Sequence, residues 1–586
     1  MNIGNQFIKR LRDAVSNSRT RLGVFRSKRN DFIRQYVGKN YSQDGTSNQV
    51  PVNLLAQVVD IYARSLVAKN PQVLVDCHAF ELKAGAHNFE LGMNHLLKEI
   101  QFSKTARSIV KDALFTMGIA KTGISAVDAV EVDGIFHDIG QPYIDRVSFD
   151  DWVHDIEARD PEEFAFCGNK FRLPLERVKE STRYANVGDL AESADSVYDE
   201  DGGEKTSHIS RGSEGHNDKA LHKYIDLWEV YLPQENVMLT LPVEGGKPIL
   251  EEEWEGPESG PYKLLRFIEV PDQVVSLSAC AKLYDLHLIL NQVYRKLGRQ
   301  AERQKSFVGV QAAAAADGEK IVNVNDGEAI KLTHVDGVKE YSVGGIAQEN
   351  MAFFIDALGR GNWLAGNLDA LGGLGAMSDT VGQDEMLTAS ASKLVQDFVD
   401  VNHNFTKEIV EDAGWYLWHD PLIQFPMVKR VPDTDIEIPI VWGPEDREGD
   451  FYDYNVDIIP HSMTNDSPQQ KLASLRMIWN EFIAPYMDYY IQAGAQPNFQ
   501  ALLAEIGRYT NMPIVHELMR FGEPSPYAPQ VVQAGQGGNS SPVTRRENVR
   551  INRSAGTRQG NDNAMMQTLL GAGVQDSQMN NLGGSN

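Results

Sequence analysis

Between residues 274 and 305 the apolar side chains Leu283, Leu286, Leu290, Val293 and Leu297 recur at steps of three, four, three and four. Steps of that size put all five on one seam of an α-helix, because a turn takes about 3.6 residues. The end of the same stretch carries Arg295, Lys296, Arg299, Arg303 and Lys305, cations that suit the negative end of the helix dipole. A helix with such a seam has little stability alone. One helix hairpin cannot bury such a seam alone, so it is expected to pack on neighbouring copies of the chain, and that demand constrains the fold more than any other feature.

The segments around it follow a definite order. Four short strands are expected at 307–311, 320–323, 329–332 and 339–343, joined by the turn signals Asp317-Gly318, Asp326-Gly327 and Asp336-Gly337. A helix at 346–360, a glycine-rich stretch to residue 382 and a long helix at 384–418 come next. In the last of these Leu387, Ala391, Leu394, Phe398, Val401 and Phe405 hold one face. Upstream, Leu54, Val58, Tyr62 and Leu66 mark a helix closed by Asn70-Pro71, and a second helix at 105–117 is expected to cap on Gly118. Strands are expected at 123–132, 143–147, 224–231 and 237–241, and later at 427–431, 437–442 and 454–459. Ser467, Pro468 and Gln470 read as cap, first residue and capping-box partner of a helix with Leu472, Leu475, Trp479 and Phe482 inward; further helix is expected at 498–507 and 513–520. The polar stretch 186–220 reads as a mobile surface insertion, and the Gly, Gln, Asn and Ser-rich chain after Gly522 as a flexible tail.

A chain of 586 residues exceeds one typical core of roughly 100–200 residues, so several domains or one elongated subunit with subdomains are expected, of class α+β and mainly helical. The formal net charge of −25 argues against a surface that grips phosphates. It suits a wall along which a polyanion slides. Residues 1–38 depart from this balance, with nine Lys or Arg against Asp13 and Asp31; they read either as a solvated helix face or as a contact with acidic neighbours or DNA. The three cysteines (Cys77, Cys167, Cys280) have no CxxC spacing, so neither a disulfide framework nor a zinc site is expected, and a reducing cytoplasm is. No apolar run follows the basic N-terminus, so no export signal is expected, and Lys282, Asp285 and His287 interrupt the richest apolar stretch, which argues against a membrane span.

Catalytic motifs are missing where they would be diagnostic. Gly118-Ile-Ala-Lys-Thr-Gly123 opens like a phosphate-binding loop, but Ile124 stands where the lysine belongs. The glycines Gly372, Gly373 and Gly375 do not complete GxGxxG, and neither GxSxG nor HExxH occurs. The acidic run Asp145, Asp150, Asp151, Asp155, Glu157, Asp160, Glu162 and Glu163 could gather Mg²⁺ or Ca²⁺, yet it lacks calcium-loop spacing and reads better as a solvated acidic face. His403 and His419 lie sixteen apart near the long helix without a catalytic relay pattern and read as structural histidines in preference to a catalytic base. No catalytic, cofactor or metal site is expected; the enzyme alternative is a carboxylate-metal hydrolase on the acidic run.

The order long helix, small β-rich insertion, helix, glycine-rich loop and very long helix resembles that of the portal proteins of tailed bacteriophages. Arg29-Asn-Asp-Phe-Ile-Arg-Gln-Tyr-Val-Gly38 resembles their N-terminal helix, and Arg107 to Gly118 with Pro142 to Asp151 resembles their wing. The resemblance implies a wing region at 1–273 with the insertion 186–220, stem helices at 274–305 and 346–366, and a clip at 306–345. It further implies a tunnel loop at 367–383, a long wing helix and wing strands at 384–462, crown helices at 463–522 and the tail 523–586.

On that resemblance the protein is expected to form a ring of about twelve copies at a capsid vertex, assembled in the host cytoplasm. Double-stranded DNA would pass along its axis. The implied partners are the terminase motor, tail adaptor proteins, and the major capsid and scaffolding proteins; no cofactor and no membrane is implied. Leu283, Leu286, Leu290, Val293 and Leu297 would pack the stem, and Phe307, Lys320, Lys331 and His334 would be the clip contacts. Leu368, Asp369, Leu371, Leu374, Met377 and Asp379 would meet the DNA weakly and without sequence preference, since the tunnel loop has no Lys or Arg to anchor phosphates. Another structural virion protein, of the shell or an internal core, is the remaining alternative.

Overall fold

The computed structural model describes residues 4–38, 49–125, 130–132, 135–137, 141–188, 190, 193, 223–325, 327–333, 335–366, 381–421, 423–430, 437–459, 462–463, 475–487, 489 and 506. The chain divides into two units, Met1–Ser467 and Pro468–Asn586. It is an α+β protein in which helix outweighs strand.

The first unit begins with α1 (Asn5–Val37), α2 (Leu54–Leu66), β1 (Val73–Cys77), α3 (Lys83–Glu99) and α4 (Phe102–Phe115). A β-rich stretch follows: β2 (Gly118–Ile124), β3 (Val130–Val132), β4 (Ile135–His137), β5 (Pro142–Val147), β6 (Trp152–His154) and β7 (Cys167–Pro174). It continues through α5 (Leu175–Glu180), β8 (Tyr224–Leu232), β9 (Val237–Pro242), β10 (Leu250–Glu253) and β11 (Tyr262–Leu265). Next come α6 (Ala279–Glu302), β12 (Lys305–Val310), α7 (Ala315–Asn323), β13 (Val338–Val343), α8 (Gln348–Leu364) and α9 (Val381–His419). β14 (Phe425–Arg430), β15 (Glu437–Trp442) and β16 (Tyr454–Ile458) complete it.

Two antiparallel sheets organise the β-rich part, one in the order β10-β9-β8-β7-β6 and one in the order β11-β2-β5. β7 and β8 pair in register from Cys167↔Tyr231 to Pro174↔Tyr224, so the polar stretch between them joins neighbouring strands. Most of that stretch, 186–220, lies outside the described residues. β1 pairs with β16, β14 with β15 and β12 with β13 as two-stranded ribbons.

α1 ties these layers together. Ile8, Leu11 and Val15 pack on Val153, Trp228 and Leu239 of the larger sheet, Leu22 joins Phe149 and Trp152, and Phe32 enters the helical core. Two of its arginines are interior. Arg26 donates to the carbonyl oxygens of Trp152 (2.8 Å) and Arg19 (3.0 Å), and Arg29 pairs with Asp150 (3.1 Å) and Asp112 (3.3 Å). Part of the basic N-terminus is therefore used inside the fold, a role absent from both readings of its charge. The largest core gathers α2, α3, α4, α6, α8 and α9, with Phe89 against Trp418 and Trp442.

Several expectations need correction. Gly118 is the first residue of β2 and caps nothing; α4 ends at Phe115, and a Cβ at Gly118 would sit 2.6 Å from the Ile109 carbonyl oxygen, so strand and helix meet there only without a side chain. The would-be phosphate loop is extended strand, and its Lys121 pairs with Glu229. α2 ends at Leu66, ahead of Asn70-Pro71. The strand expected at 320–323 is the end of α7, because an alanine run from Ala312 favours helix, and 329–332 forms no strand.

The second unit is described at 475–487, 489 and 506, where Trp479–Ile483 forms a π-helical turn followed by a 3-10 turn at Ala484–Tyr486. The expected cap at Ser467, the helices at 498–507 (Ile506 apart) and 513–520, and the tail lie outside the described residues.

Candidate functional site

In the structure α6 is followed by the β12–β13 ribbon, which holds α7, and by α8, which packs back on α6; the glycine-rich stretch 367–380 before α9 lies outside the described residues. Ser278 starts α6 by accepting from the amides of Cys280 (3.0 Å) and Ala281 (3.3 Å) while its hydroxyl donates to the Leu114 carbonyl (2.8 Å). Leu283, Leu290 and Leu297 are buried, and Leu286 and Val293 are partly buried against the same core. Their cover comes from α2 and α8 of the same chain. Gly361 of α8 makes this possible, since a Cβ there would meet Leu54 at 3.1 Å and Leu286 at 3.2 Å. The supposition that the seam needs a neighbouring subunit is thus corrected: one chain covers it.

Asn291 fixes the other side of α6. Its side chain accepts from the Val52 amide (3.1 Å) and donates to the Val52 carbonyl (2.9 Å), strapping the segment before α2 to the helix. One turn earlier His287 is fully buried, and burial lowers its pKa to about 4.

What remains uncovered lies on α8. Phe354, Ala357 and Gly361 form its buried line, with Phe354 against Tyr294 at 5.4 Å between ring centroids. At about 100° per residue, Met351, Ile355 and Leu358 flank that line on one side and Phe353 and Leu364 on the other, and all five are exposed. Trp363, near the end of the helix, is 77% exposed. Glu349, Asp356 and Arg360 gather in a separate polar strip, Arg360 paired with Asp356 at 2.9 Å. None of the flank residues was singled out from the sequence. Their signal was available: apolar residues that fall off the buried spacing of a helix.

The ribbon carries exposed apolar residues of its own. β12 and β13 pair from Lys305↔Val343 to Val310↔Val338 and have no third strand among the described residues. Phe307 stacks on Tyr341 at 5.7 Å, and both stay about half exposed, with Val308 and Val310 exposed beside them. Lys320 donates to the Lys331 carbonyl (3.4 Å), so two of the expected clip contacts meet directly, and it also pairs with the buried Asp317 (3.3 Å), which accepts from the Thr333 amide at 2.7 Å. Phe307 stands apart from them on the strand. His334 lies outside the described residues, as do Leu368, Asp369, Leu371, Leu374, Met377 and Asp379 of the expected tunnel loop.

The acidic run is dispersed. Asp150 is buried on Arg29, Lys170 lies 3.9 Å from Asp151, and Glu163 accepts from the Arg159 amide at 3.0 Å. Among the described residues no three His, Cys, Asp or Glu side chains are grouped to hold a metal ion, and no helix is long and apolar enough to cross a membrane. His403 bonds the Ile458 carbonyl oxygen at 3.1 Å, and His419 stacks on Trp415. All three cysteines are buried and free. No family model matches the sequence, and comparison with curated proteins gives no match.

Proposed function

We propose that this chain is a ring-forming portal-type subunit of a tailed-phage capsid, in which α6 and α8 belong to the stem and the β12–β13 ribbon to the clip. The observation that carries the proposal is the pair of exposed apolar flanks on α8. A two-fold dimer uses one self-complementary patch, whereas a ring needs two different patches, one for the neighbour on each side. Met351, Ile355 and Leu358 supply one, and Phe353 and Leu364 the other. The polar strip of Glu349, Asp356 and Arg360 is then free to face an aqueous channel, and the exposed ribbon to dock a packaging motor or tail adaptor. The acidic balance of the chain supports passage of DNA in preference to its capture. Negative-stain microscopy of the purified protein tests the proposal: rings with a central hole are expected, and a uniform monomer, flat sheets or closed shells would overturn it.

A further inference from the structure

Away from the α6–α8 surface, a cleft of about 590 Å³ opens between β2, the start of β5, the end of β10 and the C-terminal part of α9. Its walls are aromatic: Trp254, Trp415 and Tyr416 line it with Tyr143. They are also held in place. The Trp254 indole donates to the Pro257 carbonyl at 2.9 Å, and Trp415 stacks on His419 with centroids 4.2 Å apart. Gly256 lets the walls close up, since a Cβ there would collide with the Trp254 ring and lie 2.6 Å from the Tyr416 hydroxyl.

Charge in the cleft is unbalanced. Five acidic residues and two basic ones line it, and both cations are taken, Lys121 by Glu229 and Arg183 by Glu252 at 2.8 Å. Glu253 and Glu255 make no ion pair among the described residues. A separate observation points to a ligand. Tyr416 is only 7% exposed and lines the cleft, yet its hydroxyl has no hydrogen-bond partner among the described residues. The Tyr416 hydroxyl is not one of the sealed, unsatisfied groups of the fold, so it can meet a donor that enters the cleft.

We propose that this cleft binds a primary ammonium group, which would donate to the Tyr416 hydroxyl and the Glu253 and Glu255 carboxylates while resting on the indole faces. Aromatic faces and carboxylates together favour an organic cation over a metal ion, which would look for more oxygen ligands. The ammonium could belong to a free aliphatic amine or to a lysine side chain. The test is calorimetric titration of the full chain with cadaverine and, separately, with a blocked Gly-Lys-Gly peptide, at constant ionic strength. One bound probe per chain is expected. Tyr416→Phe, which removes only an unbonded hydroxyl, should weaken binding about fivefold, and Glu253→Gln with Glu255→Gln about tenfold or more. Glu157→Gln, on an exposed loop outside the cleft, should leave it unchanged. Tighter binding of the peptide identifies a lysine as the source and tighter binding of cadaverine a free amine; either supports the site. No binding of either probe, an unchanged affinity in Tyr416→Phe, or equal weakening in Glu157→Gln, which would mean diffuse attraction to an acidic protein, would overturn it.

Discussion

His154 is a histidine held neutral by its surroundings. It is buried in β6, its Nδ1 accepts from the Trp152 indole at 3.0 Å, and burial together with the nearby Arg26 guanidinium lowers its pKa from 6.5 to about 4. The unfolded chain therefore takes up a proton that the folded chain refuses, so stability present above pH 6.5 is lost as pH falls toward 4. At roughly 1.4 kcal/mol per pH unit the loss reaches about 3 kcal/mol. His154→Asn, whose side-chain oxygen can accept from the same indole, should reduce the pH dependence of urea unfolding across that window, while the similarly shifted His287 still contributes; an unaltered slope would mean that His154 is not responsible. Arg29 poses the complementary case. Its guanidinium lies between Asp112 and Asp150, all three buried. Arg29→Ala strands buried carboxylate charge and should cost about 3–5 kcal/mol. Replacing Asp150 by Asn as well should recover part of that loss, and a double mutant no more stable than the single one would show that the charge is not the cause.

At the scale of elements, α6 and α8 make opposite predictions. Leu290 is fully buried inside its own chain, so Leu290→Asp should unfold the protomer, at a cost of several kcal/mol, with the loss visible by circular dichroism before assembly is considered. Ile355 is 58% exposed, so Ile355→Glu should leave the protomer folded and shift it from ring to monomer in sedimentation velocity. Rings at wild-type yield from Ile355→Glu would remove that flank from the interface. The two helices were legible from the sequence because burial imprints a period: Leu283, Leu290 and Leu297 announce α6 without help from any distant residue. The ribbon was legible in part, since β12 and β13 are short β-rich runs close to Asp-Gly turns, whereas the helix in α7 was hidden behind a turn signal at Asp317-Gly318. α3 was missed because Gly85 and Gly92 dilute its pattern while its real determinant is packing against β1 and β14. The aromatic cleft left no local trace either. Its walls come from residues 121–124, 252–256 and 415–420, which only the tertiary fold brings together.

For the whole molecule the sign of the charge matters more than any single contact. A chain with net charge −25 repels DNA, and in a ring that repulsion is repeated by every copy around the channel. The segment 367–383 is the part that the portal reading assigns to the DNA, and its only formal charges are Asp369 and Asp379. Replacing both by Lys changes the charge of each copy by four and introduces groups that bind phosphates by releasing counterions. Neither residue belongs to the stem seam or the α8 flanks, so ring assembly should be unaffected. Passage should slow instead, and most at low salt: the Debye length is about 30 Å at 0.01 M and about 8 Å at 0.15 M, so the added attraction spans a channel only in dilute buffer. Packaging of labelled DNA into capsids carrying wild-type or double-mutant rings, followed at graded ionic strength, measures this directly. A rate difference that widens as salt falls is the expected result. Equal rates at every ionic strength, from rings shown to carry both lysines, would place the segment away from the DNA.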